Sequence, residues 1–100
     1  MAMAYHSIAF DAALASAAGD DLALRSELRA AFVESAARQL DLLRRSRCDA
    51  NWEVAAERLH AVAASFHAAE LMGLAAEARS GVPGEPGVIR RIDAFIAALG

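Results

Sequence analysis

The sequence contains no lysine, so all ten of its basic residues are arginine. Against thirteen acidic residues they leave a net charge of −3. A nucleic-acid binder would carry a basic domain with a basic face. The one short basic cluster, Arg44, Arg45 and Arg47, is open to a phosphate-binding reading, but the preferred one is the cationic end of a helix, where the helix dipole favours positive charge. A lone cysteine, Cys48, excludes an internal disulfide and offers no Cys/His spacing for zinc. A free thiol fits a reducing compartment. No apolar run is long enough to cross a bilayer, and no charged start leads into an apolar core with a cleavage site. The expected location is the cytoplasm, away from membranes and nucleic acid. Only two prolines occur, Pro83 and Pro86, and β-branched residues are sparse, which argues against a sheet.

What remains is a helical composition. The chain is 57% hydrophobic and 23% charged over 100 residues, enough for one domain with one core, spanning residues 1–100. Much of the apolar content is alanine, the best helix former. The spacing predicts a first helix from about Ser7 to Ala18, anchored by Ile8, Phe10 and Leu14 and ended by Gly19. Asp20 or Asp21 caps a second, running to about Arg47, whose apolar stripe is Leu24, Leu28, Phe32, Ala36, Leu40 and Leu43. A third starts near Trp52, capped by Asp49 or Asn51, and buries Trp52, Ala55, Ala56, Leu59, Val62, Ala63 and Phe66. It either continues to Arg79 or breaks near Phe66–Ala69, where no glycine or proline marks a stop. A fourth stretch carries Leu71, Leu74 and Ala78 up to Ser80-Gly81. After the Gly- and Pro-rich segment 81–87, a last helix from about Glu85 to Leu99 buries Val88 or Ile89, Ile92, Phe95, Ile96 and Leu99. Amphipathic helices joined by short connections predict an all-α fold: an up-down antiparallel four-helix bundle with a short extra N-terminal helix.

On the third helix Leu59, Val62, Ala63 and Phe66 point inward. His60 lies one step around, on a face shared with Glu53, Glu57, Ala64 and His67. That face is polar or small, so the imidazole is at least partly exposed, and Ala64 one turn on leaves room for an approaching partner. Histidine is the side chain that titrates nearest neutrality, so an exposed imidazole presents a neutral nitrogen to an incoming group.

The stretch from Asn51 to Ser65 resembles the signature of histidine-containing phosphotransfer (HPt) domains. In that family an aromatic or apolar residue opens the helix and His-x-Leu-Lys-Gly-Ser follows. His60, Val62 and Ser65 match its first, third and sixth positions. Phe66 to Leu71 is similar to the family's Leu-Gly-Ala-x-x-Leu, reached about three residues early. Phe10-Asp11, Gly19-Asp20-Asp21-Leu22 and the run from Glu27-Leu28 to Phe32 resemble its first helix and the start of its second. Ala63 stands at the family's lysine, Ala64 at its glycine and His67 at its later glycine.

The resemblance implies a phosphorelay protein of two-component signalling. His60 would be the phospho-acceptor, taking a phosphoryl group from the aspartyl phosphate of a response-regulator receiver domain and passing it on. A histidine kinase is a second possible donor. The receiver brings the Mg²⁺, and the chain needs no cofactor or metal of its own; it is a phosphotransfer intermediate rather than a stand-alone catalyst. Glu57, one turn back, is the expected orienter of the imidazole, and Ala63, Ala64, Ser65 and His67 form the expected binding surround. His67 lies roughly 10 Å farther along the helix axis, at the rim. With no cation one turn from His60 and Arg58 pointing away, a stabilising charge must come from another helix or from the receiver. The docking surface is expected to be apolar, from the second and third helices.

Three other readings compete. An HPt-like module lacking the lysine and glycine would bind receivers or kinases as a regulatory adaptor without being phosphorylated. Glu57-Arg58-Leu59-His60 matches the Glu-x-x-His of di-iron bundles, although His67-Ala68-Ala69-Glu70 is its reverse. A plain dimerising or scaffold bundle is the third.

Overall fold

The computed structural model describes the backbone of residues 2–99 and the side chains of residues 10–99. Five helices follow one another: α1 (Ala2–Ala18), α2 (Leu22–Arg44), α3 (Asp49–Ser65), α4 (Ala69–Ser80) and α5 (Pro86–Leu99). Among the described residues there is no strand, and no helix is long and apolar enough to cross a membrane.

The helix ends follow local chemistry. Gly19, at φ 62°, takes the left-handed turn after α1, a conformation that costs glycine little. The Asp21 carboxylate then accepts the Leu24 N–H at 2.9 Å and caps α2, one of the two caps expected. Glu85 accepts the N–H groups of Gly87 and Val88, both at 2.8 Å. Pro86 follows as the first residue of α5, a position where its missing N–H costs nothing.

Three boundaries differ from the expected ones. The first helix begins at Ala2 rather than near Ser7; Ala2, Met3 and Ala4 favour helix and nothing there stops it. The side chain of Ile8 lies outside the described residues. The second helix stops at Arg44, three residues before Arg47. The third begins at Asp49, with Cys48 as its cap residue and no side-chain cap bond. Asp49 therefore sits inside the first turn, where its charge complements the helix dipole.

The third helix does break. Phe66 closes it, His67 adopts φ 55° and Ala68 leads into α4. The Ala68 N–H reaches back to the Ala63 carbonyl at 2.9 Å and the His67 N–H to that of Ala64 at 3.2 Å. These two bonds form a Schellman ending, which normally places glycine at the left-handed residue. Ala63 and Ala68, its usual apolar pair, are both fully buried.

One apolar cluster draws on all five helices. Helix α2 packs on α3 and α5, α4 packs on the same two, and α1 lies against α2 and α4. Buried alanines at 36, 55, 56, 63, 75 and 78 let the backbones approach closely. Phe10, Phe32 and Phe66 join α1, α2 and the end of α3 in a tilted aromatic trio, with centroids 4.8 to 6.1 Å apart. Leu24, on the predicted stripe, is 38% exposed, because the first turn of α2 runs past the core. Of Val88 and Ile89, Val88 is the buried one.

Two arginines of the cluster are used in ion pairs. Arg45 meets Asp41 within α2, and Arg44 reaches Asp93 on α5 at 3.4 Å. Elsewhere Arg29 pairs with Asp11 and Arg91 with Glu77, joining α2 to α1 and α5 to α4.

Candidate functional site

Helices α3 and α4 fold back on each other about His67, so the first turns of α3 face the last turns of α4. The Trp52 indole N–H, in the first turn of α3, donates to the Ala78 carbonyl of α4 at 2.6 Å in a buried hydrogen bond. Beside this clamp an open cleft of about 510 Å³ lies between the two helices. Ala56 and Ala75 form its buried floor. Glu57 and His60 line it from α3, and Ala76, Arg79 and Ser80 from α4. Both floor residues end at Cβ, which leaves the space above them open.

His60 is half-buried on the wall of this cleft. Among the described residues its ring has no hydrogen-bond partner. Glu57, its expected orienter, is engaged elsewhere: its Oε1 lies 2.9 Å from Nη2 of Arg79, and both side chains are about half exposed. Sequence reasoning required a cation from outside α3 without naming one. The cation in the cleft is Arg79. The sequence carried no signal for it, because the pairing depends on where the chain reverses between α3 and α4.

The other expected site residues are dispersed. Ala63 is fully buried, so it serves the core and presents no surface to a partner. Ala64 is half-buried and outside the cleft lining, and Ser65 is exposed. The Ser65 hydroxyl donates to the Ala61 carbonyl at 2.9 Å. His67 is exposed at the helix break. Exposed apolar residues do occur on α2 and α3: Leu42 (38% exposed) and Val54 (46% exposed). They line a smaller groove of about 220 Å³ with Arg45 and Arg58. That groove lies between α2 and α3, whereas the His60 cleft lies between α3 and α4. Among the described residues no three His, Cys, Asp or Glu side chains converge so as to hold a metal ion.

The cleft thus combines an imidazole, a guanidinium and a carboxylate over a floor of methyl groups. The chain significantly matches no protein-family model, no curated protein and no solved structure.

Proposed function

We propose that this protein is a histidine phosphotransfer module of a two-component phosphorelay, working in the cytoplasm. His60 accepts a phosphoryl group from the aspartyl phosphate of a receiver domain, or from a histidine kinase, and passes it on. The observation that carries this reading is the setting of His60: half-buried, without a hydrogen bond among the described residues and on the wall of an open cleft floored by alanine.

The helix break supports the same reading. His67 stands at the resemblance's later glycine and takes the left-handed conformation glycine favours. In this reading α2 to α5 form an up-down antiparallel four-helix bundle with α1 as the extra helix, which accords with the pairing of α2 and α4 each on α3 and α5.

Chemically, the lone pair of a neutral ring nitrogen attacks phosphorus in line. The P–O bond of the acyl phosphate breaks, its electron pair leaves with the aspartate carboxylate, and the other ring nitrogen keeps its proton. Such transfers are loose and depend on positioning and charge stabilisation more than on covalent chemistry. The receiver's Mg²⁺ serves the donor side, and His60 supplies the acceptor.

The adaptor reading is favoured by one feature, the replacement of the motif lysine by the buried Ala63. The deciding experiment incubates the protein and a His60→Gln variant with phosphorylated receiver domains. Acid-labile, alkali-stable label on wild type and none on the variant is the expected result. Binding of every receiver without label would replace transfer by adaptor binding.

A further inference from the structure

Phosphoryl transfer spreads negative charge over three equatorial oxygens, and a preorganised cation at that place is among the strongest sources of rate. Helix α3 has none one turn from His60: the position three residues on is Ala63, four on is Ala64, and Glu57 lies three before. The nearest candidate on the same wall of the cleft is therefore an acid, which by itself would repel an incoming phosphoryl group.

Arg79 changes that balance. It comes from the last turn of α4, lines the same cleft as His60 and binds Glu57 at 2.9 Å. Glu57 precedes His60 by three residues on one helix face, and the Glu57–Arg79 pair lines the same cleft as the imidazole. Arginine also suits the role, because its planar fork matches phosphate oxygens in a bidentate way. The pair is about half exposed on both sides, so it contributes little to stability, and its position is not explained by a need to hold the helices together. The Trp52–Ala78 hydrogen bond already does that next to it.

We infer that Arg79 is the catalytic cation of this site: Glu57 holds its guanidinium beside His60, and it shifts onto the equatorial oxygens as the phosphoryl group arrives. This rests on His60 being the phospho-acceptor. Glu57 is then a positioning residue that neutralises Arg79 in the resting cleft and gives it up to a stronger anion, rather than the orienter of the imidazole. The step needs no further reactant: the electron count is that of the transfer above, and Arg79 neither gains nor loses a proton.

The test uses two donors, a phosphorylated receiver domain and the small donor phosphoramidate, on wild type and on Arg79→Ala, Arg79→Lys, Glu57→Gln and His60→Gln. With both donors Arg79→Ala should slow labelling of His60 about 100-fold, with helicity and melting temperature unchanged. Arg79→Lys should recover part of the rate, and Glu57→Gln, which removes the carboxylate that holds the guanidinium, should slow labelling, but by less than Arg79→Ala. Wild-type rates in Arg79→Ala, with His60→Gln blank, would overturn the role of Arg79 and leave His60 as acceptor. Equal slowing in Glu57→Gln and Arg79→Ala together with a lowered melting temperature in both would overturn it too, by making the pair merely structural. No label on wild type from either donor would end the His60 reading and the role of Arg79 together.

Discussion

The indole N–H of Trp52 donates to the backbone carbonyl of Ala78 across the α3–α4 seam at 2.6 Å, with the ring 1% exposed. Ala78 lies in the last turn of α4, where helix carbonyls lack an intrahelical partner. The Gly81 N–H also reaches it, at 3.2 Å, so loss of the indole does not leave the oxygen bare. Two variants separate hydrogen bond from bulk. Trp52→Phe should destabilise by about 1–2 kcal/mol, and Trp52→Ala by about 3–5 kcal/mol through the cavity it opens. Urea titrations check both; equal costs for the two would mean that the hydrogen bond, lost in both, carries the effect and the bulk of the ring adds nothing.

His67 is a test of backbone conformation. At φ 55° a β-branched side chain is poorly accommodated and glycine is at ease. His67→Val should lower stability by about 1–2 kcal/mol. His67→Gly should hold or raise it, the gain being limited by the greater freedom glycine gives the unfolded chain. Thermal melts of the two give opposite signs; destabilisation by glycine would show that the imidazole itself makes a needed contact.

These two positions also show what could be read in advance. Trp52 was legible as a core residue because apolar residues recur around it at helical spacing, and all-helical structure followed from alanine, sparse prolines and caps such as Asp21. The stop at His67 was not legible, because helix endings of this kind are normally signalled by glycine and a histidine in that role has no periodic signature. His60 was placed correctly on the wheel as a partly exposed residue beside the buried stripe. The partner of Glu57 was out of reach for a different reason. Its ion pair with Arg79 is a tertiary contact, and which turn of α4 faces which turn of α3 depends on where the chain reverses. Leu24 fell the other way: its spacing suits the stripe, but a stripe does not say where the core ends.

Acid should weaken the protein through two carboxylates. Glu85 is held below the ordinary carboxylate value of about 4.5, chiefly by the Gly87 N–H and then by that of Val88. Glu77 is held below it chiefly by its hydrogen bond with Arg91. Both are depressed in the folded state, so the unfolded chain binds protons first as pH falls, and stability rises with pH across that window. Their contribution is complete above about pH 4.5 and disappears as pH drops through the lower folded values. A Glu77→Gln, Glu85→Gln double variant should start less stable at pH 7 and lose less between pH 5 and pH 3, which urea midpoints across that range would show. An unchanged acid slope in the double variant would place the acid-sensitive groups elsewhere.

Access to His60 through the α3–α4 cleft makes a prediction that separates docking from chemistry. Ala76 is exposed on the α4 wall of that cleft, so a larger side chain there should fold normally, since surface changes of this kind usually stay within about 0.5 kcal/mol. Ala76→Trp would fill the mouth with an indole while leaving His60, Glu57 and Arg79 in place. A receiver must bring its aspartyl phosphate to near-contact with the imidazole, and small displacements at that range cost about 100-fold in rate. Phosphoramidate, a far smaller donor, needs less room. Ala76→Trp should therefore slow transfer from a receiver about 100-fold while phosphoramidate labelling falls much less. If both donors slowed equally, the indole would be perturbing the imidazole itself. If neither slowed, receivers would approach His60 from outside the cleft, over the exposed edge of α3 where Ala64 and Ser65 lie.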